Sequence, residues 1–157
     1  MKNFINIFIS LFYIGYIKVI PGTFASFFSI ILIFPVIKLS IFSTSTLILF
    51  FLLIFLLSIF FINYYSKITK TEDSSVIVID EFLGIYFILI FYNHLIIIND
   101  LVTLFLIFII FRFFDMNKIF PANKIDQKIK NGFGVIMDDI VASLYTVLTL
   151  IILNAFV

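Results

Sequence analysis

Five carboxylate residues lie within or beside apolar stretches of this sequence, where charged side chains are unusual. They are Asp80, Glu81, Asp115, Asp138 and Asp139. An acidic side chain at the centre of a bilayer costs about 2.5–3.5 kcal/mol on insertion scales. Five such costs together would rival the net stability of a whole domain, which is about 5–15 kcal/mol. We therefore expect these carboxylates to lie near a membrane interface, to be paired, or to be neutralised by a cation.

The cation that such a group would bind is a hard divalent metal. The sequence has no Cys and a single His, His94, so thiolate sites and sites with two histidines are excluded. Clustered carboxylate oxygens suit Mg²⁺, with Mn²⁺ as a substitute. Neighbouring residues on a helix point about 100° apart. In each adjacent acidic pair we therefore expect one member to bind the metal and the other to meet a second metal, a lysine or a helix end.

Two basic side chains accompany the acids. Arg112, Asp115 and Lys118 recur every three residues, so they share one face if the helix continues that far. An arginine fork and a lysine beside a metal form a clamp for phosphate. The alternative for Arg112 and Asp115 is a structural ion pair. The alternative for Asp138 and Asp139 is acidic charge favoured by the dipole at a helix start.

Two glycine-containing segments offer backbone amides to an anion. Pro21-Gly22-Thr23 and Asn131-Gly132-Phe133-Gly134 each precede an apolar run, so their N–H groups would be available at a helix start. A turn without a ligand is the alternative for both. Gly84, three residues after Glu81, would let a neighbouring helix approach closely. The residues that we expect to contact a substrate are Pro21, Gly22, Thr23, Gly132 and Gly134.

Composition indicates where these residues are held. The 157 residues are 64% hydrophobic and 12% charged, against about 45–50% and about 25% in soluble domains. Too little polar surface remains to cover a globule in water, so lipid must cover much of the protein. The net charge of +1 and the scattered basic residues give no groove for nucleic acid. The length predicts one domain, residues 1–157.

Four apolar runs are long enough to cross a bilayer, which takes about 20 residues. A fifth run, residues 24–37, is shorter and contains Pro35. Residues 4–20 end at Pro21-Gly22 and fit an interfacial or re-entrant helix better than a span. No run alternates with the period of barrel strands. The sequence thus predicts an all-α polytopic membrane helical bundle of about five spans plus this N-terminal helix. The four long runs are residues 47–63, 76–92, 95–114 and 135–156.

The basic residues predict the orientation of the bundle. Lys and Arg concentrate in short loops on the cytoplasmic side. Placing residues 117–134 inside also places residues 64–75 inside and leaves only Lys38 outside. The acids of three helices then lie at one depth and on one side. We expect a multi-pass protein of the inner (cytoplasmic) cell membrane, with its site toward the cytoplasm.

At these residues the chain resembles the phosphatidylglycerophosphatase A family, in the order and spacing of the family's motifs. The more specific signature is Arg112-x-x-Asp115-x-x-Lys118 followed by Gly-x-Gly-x-x-x-Asp138-Asp139. The matching blocks are Pro21-Gly22-Thr23 with Ser26, residues 79–84, residues 111–118, Pro121, Asp126 and residues 132–142. The chain has Ala25, Ile119, Asn131 and Ser143 where the family usually has Gly, Pro, Gly and Gly. These are packing and turn positions, and none of them is a carboxylate.

The resemblance implies Mg²⁺-dependent hydrolysis of phosphatidylglycerophosphate, a phospholipid, to phosphatidylglycerol and phosphate, and it implies no protein partner. Arg112 and Lys118 would stabilise charge on the phosphoryl oxygens, and Asp115 would be a ligand or general base. The metal ligands implied are Asp80, Glu81, Asp138 and Asp139.

Functions of other classes remain as alternatives. A small membrane cation carrier would need acids near mid-membrane and a polar path through the outer half. The outer halves of the runs are almost purely Ile, Leu and Phe, which favours a one-sided enzyme site. A catalytically inactive lipid-binding protein is the other alternative. A CDP-alcohol phosphatidyltransferase is disfavoured because its Asp-Gly-x-x-Ala-Arg block is missing.

Overall fold

The computed structural model of the chain describes residues 2–71 and 74–156, together with all of their side chains except those of Lys2 and Asp126. Asp126, one of the family-like positions, therefore lies outside the described side chains. The described part of the chain is helical and contains no strand, as the all-α prediction requires. Its α-helices are α1 (Lys2–Ile9), α2 (Pro21–Lys38), α3 (Thr44–Thr69), α4 (Ile79–Ile90), α5 (Asp100–Asn117), α6 (Ala122–Lys128) and α7 (Gly132–Asn154).

Three of these helices, α2, α3 and α7, are long and apolar enough to cross a membrane. The α2 helix continues through Pro35, so this proline does not shorten it. The α4 helix has 12 residues and covers about 18 Å, against about 30 Å for the hydrocarbon core. The α5 helix is long enough but carries Asp100, Arg112 and Asp115. The described part of this membrane protein contains helices and no strand, and about five spans remains a prediction.

The outward face of α3 is a continuous apolar surface. Leu49, Leu53, Leu56 and Phe60 follow one another at helical spacing, and each is more than half exposed. Such a stripe would be unfavourable in water over this length, and it is the expected surface where lipid tails surround a helix. The α3 helix therefore presents one side to lipid and the other to the bundle.

The start of α4 differs from the sequence expectation. The apolar run begins at residue 76, whereas the helix begins at Ile79. The Ser74 carbonyl instead closes a short turn ahead of the helix. Asp80 and Glu81 consequently lie in the first turn of α4, where the helix dipole favours negative charge.

The N-terminal segment is bent rather than straight. After α1 the backbone is left-handed at Leu11, Phe12 and Tyr13, with φ of 47°, 57° and 70°, and a short 3₁₀ turn, Ile14–Tyr16, follows. The carbonyl of Ile9 accepts a hydrogen bond of 3.0 Å from the amide of Val78, just before α4. Helix α1 has only 8 residues, so no helix in this segment is long enough to span. That shape agrees with the interfacial or re-entrant alternative.

Helix α4 lies at the centre of the bundle, and Gly84 permits its close packing. A Cβ atom on Gly84 would lie 2.8 Å from the Phe111 ring of α5 and 3.0 Å from the Ser143 hydroxyl of α7. The Ser143 hydroxyl also donates a hydrogen bond of 2.9 Å to the Gly84 carbonyl. The predicted close approach at Gly84 is confirmed.

The far end of the bundle is held by a separate polar cluster. The Lys38 ammonium at the end of α2 lies 2.7 Å from a carboxylate oxygen of Asp100 at the start of α5. The Tyr92 hydroxyl donates a hydrogen bond of 2.6 Å to the other oxygen of Asp100. His94 lies exposed at this end, where its carbonyl accepts a hydrogen bond from Asn154 near the end of α7.

Candidate metal and phosphate site

Carboxylates from two helices meet at the opposite end from Lys38. Asp80 and Glu81 come from the first turn of α4, and Asp139 comes from the second turn of α7. One oxygen from each of the three lies within 4.8 Å of the others. The structure thus brings together the acids of α4 and α7, as their positions along the chain led us to expect.

These three carboxylates have oxygens without hydrogen-bond donors. Asp80 Oδ1, Glu81 Oε2 and Asp139 Oδ2 are buried, and no described residue donates to them. A buried carboxylate oxygen without a partner is costly, and like charges this close repel one another. A divalent cation would offset both costs, and carboxylate oxygens are the ligands that Mg²⁺ and Mn²⁺ prefer. The donor set therefore fits the predicted metal.

Arg112 connects α5 to this acidic group. Its Nη1 atom hydrogen-bonds to the Asp115 carboxylate and lies 3.7 Å from Oε1 of Glu81. All three side chains are at least 85% buried, with exposed fractions of 13–15%. The ion pair between Arg112 and Asp115 is present, as the structural alternative supposed. The Nε–H of Arg112 is also buried and has no acceptor among the described residues, so the guanidinium has a donor left for another oxygen.

Lys118 forms an ion pair with Asp138, the acidic residue next to Asp139 on α7. It is the C-cap residue of α5, in a left-handed conformation with φ of 40°. Its ammonium lies 2.9 Å from Oδ2 of Asp138. Asp139 therefore belongs to the three-oxygen group while Asp138 meets a lysine, which is the division expected for an adjacent pair. The α4 pair does not divide in this way, because Asp80 and Glu81 both contribute an oxygen to the group. Metal ligation by Asp138 remains a prediction.

A cavity of about 270 Å³ contains the site. All seven residues predicted to be catalytic or to bind metal line it, as do Pro21, Gly22 and Gly134. Thr23 and Gly132, which we also expected at the substrate, are not among its lining residues. Lys130 lines the cavity too. Lys130 falls in residues 117–134, the loop expected on the cytoplasmic side, and its position just before the glycine segment could have marked it as a site residue.

Gly22 brings the start of α2 against the acids. A Cβ atom there would collide with Oε1 of Glu81 and would lie 3.2 Å from Nη1 of Arg112. No acceptor for the Gly22 amide is found in the part of the chain that the structure describes. The Thr23 amide, in contrast, donates to the carbonyl of Ile20 at 3.1 Å. Of the Pro-Gly-Thr segment, the proline and glycine border the cavity.

The glycine segment at the start of α7 behaves differently from our expectation. Oδ1 of Asn131 accepts hydrogen bonds of 3.1 Å and 3.0 Å from the amides of Phe133 and Gly134. Oδ1 of Asn63, on α3, accepts one of 2.7 Å from the Gly132 amide. The amides that we expected to face an anion are therefore capped by side chains, as is common at a helix start.

Packing explains why glycines stand in that segment. A Cβ atom on Gly134 would collide with the backbone carbonyl of Ile129. One on Gly132 would lie 2.7 Å from the carbonyl of Ile59 on α3. Both glycines thus let backbone segments approach closely at the site end of the bundle.

Comparison with known proteins identifies the family. A family model described as phosphatidylglycerophosphatase A matches residues 7–154, nearly the whole chain. The chain belongs to the phosphatidylglycerophosphatase A family. Neither the curated proteins nor the solved structures that we compared with the chain gave a match. Membership of a phosphatase family supports a phospholipid phosphatase, and the resemblance seen in the sequence motifs is confirmed.

Two departures from the phosphatidylglycerophosphatase A pattern have visible roles here. Ser143, where the family usually has Gly, shares its one hydroxyl hydrogen between the carbonyls of Gly84 at 2.9 Å and Asp139 at 2.7 Å. Asn131, another such position, caps α7. Both departures add hydrogen bonds within the helices that carry the acids.

Proposed function

We propose that this membrane protein hydrolyses the terminal phosphomonoester of phosphatidylglycerophosphate in a Mg²⁺-dependent reaction, releasing phosphatidylglycerol and inorganic phosphate. One observation carries the proposal. Buried carboxylate oxygens of α4 and α7 lie within 4.8 Å of one another, in a cavity that Arg112 and Lys118 also line. Acids for a metal and cations for a phosphate thus share one cavity. Family membership supports the reaction class.

Asp80, Glu81 and Asp139 would hold the metal. When bound, Mg²⁺ would lower the pKa of a water molecule and offset negative charge on the phosphoryl group. Asp138 completes the acidic set, either as a further ligand or by orienting Lys118 through their 2.9 Å ion pair. The buried oxygens without donors support the three-ligand assignment.

The reaction joins a water oxygen to phosphorus and breaks the bond between phosphorus and the glycerol oxygen. The attacking water loses a proton, and the leaving glycerol oxygen gains one. Asp115 borders the cavity and is our candidate to accept the proton, with metal ligation as its alternative role. Arg112 and Lys118 would donate hydrogen bonds to the phosphoryl oxygens as negative charge grows there. The Arg112 Nε–H without an acceptor supports that role.

We place the site at the cytoplasmic face of the inner membrane, in a single domain of residues 1–157. Lys118 and Lys130 line the cavity, whereas Lys38 pairs with Asp100 at the far end of the bundle. Lys and Arg concentrate on the cytoplasmic side of membrane proteins. This distribution supports the proposed orientation.

The first test is phosphate release from phosphatidylglycerophosphate in detergent micelles, with and without Mg²⁺. We expect metal-dependent release by the wild type and a loss of at least about a hundredfold in Asp139→Asn, since a ligand lost at a metal centre removes several kcal/mol of transition-state stabilisation. Asp138→Asn should also lower release. Asp100→Asn is the matched control, because it removes a carboxylate at the far end and should keep nearly full activity.

Metal binding is measured separately, without turnover. Electron paramagnetic resonance of added Mn²⁺ should show a bound ion in the wild type and in Asp100→Asn, and much weaker binding in Asp139→Asn. A folded wild type that binds Mn²⁺ but releases no phosphate would reject phosphatidylglycerophosphate as the substrate. Equal Mn²⁺ binding by all three proteins would reject the metal site.

A further inference from the structure

A second polar cavity lies beside the acidic one, and the described residues that line it are all basic or neutral polar. Its volume is about 450 Å³. It lies where the end of α3 meets the start of α7, and Lys130 lines both cavities. The lining residues are Asn63, Ser66, Lys67, Lys70, Lys130 and Asn131. None of the six is acidic, although the neighbouring cavity is rich in acids.

The three lysines are available to an external anion. Lys67, Lys70 and Lys130 are exposed. Among the side chains that the structure describes, which exclude those of Glu72, Asp73 and Asp126, no carboxylate lies within 4.0 Å of any of the three ammonium groups. Positive charges held near one another repel, and an anion between them relieves that repulsion. The cavity therefore favours a negatively charged ligand.

The two asparagines present donors as well. The Oδ1 atoms of Asn63 and Asn131 already accept hydrogen bonds from backbone amides at the start of α7. An asparagine whose carbonyl oxygen is used in this way keeps its NH₂ group as a donor for another partner. Ammonium and NH₂ donors around one space match a ligand with several acceptor oxygens and negative charge, and phosphate is such a group.

We propose that this basic cavity binds the phosphodiester of a phospholipid headgroup while a terminal phosphate occupies the acidic cavity. The identity of that lipid rests on the proposed function, because phosphatidylglycerophosphate carries both kinds of phosphate. Lys130 borders both groups and would reduce the repulsion between their negative charges. The acidic cavity would then hold the reacting phosphate, and the basic cavity would select lipids with a second one.

The test uses phosphatidylglycerol, which carries the phosphodiester and lacks the terminal phosphate. Native mass spectrometry of the full chain in neutral detergent, without metal, measures the binding of added phosphatidylglycerol and, as a second probe, inorganic phosphate. We expect Lys67→Gln with Lys70→Gln to weaken phosphatidylglycerol binding by about tenfold or more, because each lysine near an anionic lipid contributes about a factor of five. The double variant Lys67→Arg with Lys70→Arg keeps both positive charges, so it should bind phosphatidylglycerol about as tightly as the wild type.

The matched control is Lys124→Gln with Lys128→Gln, which removes two exposed charges from the neighbouring helix α6. This variant should bind phosphatidylglycerol like the wild type. Equal weakening in both double variants, or in neither, would overturn the proposal. If inorganic phosphate alone depended on Lys67 and Lys70, the cavity would be a phosphate site, but not for lipid, and the lipid assignment would be wrong.

The two proposals fail in different ways. The lipid-binding measurement needs neither metal nor turnover, so it does not depend on hydrolysis. Phosphate release with no lysine-dependent lipid binding would overturn this inference alone. Lysine-dependent lipid binding with no phosphate release would overturn the proposed function alone.

Discussion

At the scale of single residues, the direction in which each acidic side chain leaves its helix determines which groups it contacts. Asp138 and Asp139 are adjacent, yet Asp139 joins the oxygens of α4 while Asp138 meets Lys118. Their sequence predicts that the two side chains diverge, since neighbouring residues on a helix point about 100° apart. Which one faces α4 depends on the rotation of α7, and that is set by contacts such as the Asn63 hydrogen bond to Gly132. No local pattern in the sequence carries that information.

Gly22 and Gly134 allow a test that separates the site from the scaffold. In Gly22→Ala the added methyl group meets the end of the Glu81 side chain, which can move. We expect Mn²⁺ affinity and phosphate release to fall by about tenfold or more, with little change in melting temperature. The reason is that a carboxylate displaced by about 1 Å loses its productive geometry.

In Gly134→Ala the methyl group meets the backbone carbonyl of Ile129, which cannot move without shifting the chain. We expect destabilisation of about 1–3 kcal/mol and a clear drop in melting temperature. Thermal unfolding in detergent and Mn²⁺ titration on both variants check the pair. The same loss of stability in Gly22→Ala as in Gly134→Ala would contradict the distinction.

At the scale of elements, each long apolar run of the sequence became one helix, because such runs leave no other way to satisfy the backbone in lipid. The ends of the helices were less predictable. The run of residues 76–92 contains only the 12-residue helix α4, since a turn precedes it and a 3₁₀ turn, Tyr92–His94, follows it. The left-handed residues Leu11 to Tyr13 contain no glycine, so no glycine marks the position of the bend.

The contact between α4 and α7 at Gly84 is the packing that holds the two sets of acids together. A larger side chain there would push α4 away from Phe111 and Ser143. Gly84→Val is expected to lower stability by about 1–3 kcal/mol and to weaken Mn²⁺ binding. Ser143→Ala, which removes one hydroxyl and leaves the space, should cost only about 1 kcal/mol. Thermal unfolding of both variants measures the difference. A Ser143→Ala variant less stable than Gly84→Val would contradict this view.

At the scale of the whole molecule, the two ends of the bundle have different chemistry. One end gathers the acids, Arg112 and the lysines around two cavities, while Lys38, Asp100 and Tyr92 form a paired cluster at the other. The positions of the charged residues along the sequence predict this division. They do not predict the basic cavity, because Lys67 and Lys130 lie far apart in the chain and meet only when α3 and α7 pack.

The apolar stripe of Leu49, Leu53, Leu56 and Phe60 on α3 has a kinetic consequence. Lipid tails that contact this face of α3 hold the whole molecule within the bilayer. A lipid substrate therefore reaches the protein by lateral diffusion in two dimensions. The quantity that governs encounter is then the surface mole fraction of the substrate. Adding phosphatidylcholine at a constant bulk concentration of phosphatidylglycerophosphate lowers the surface mole fraction of the substrate and should slow phosphate release. Once the rate is saturated, adding more mixed micelles of the same composition should leave it unchanged.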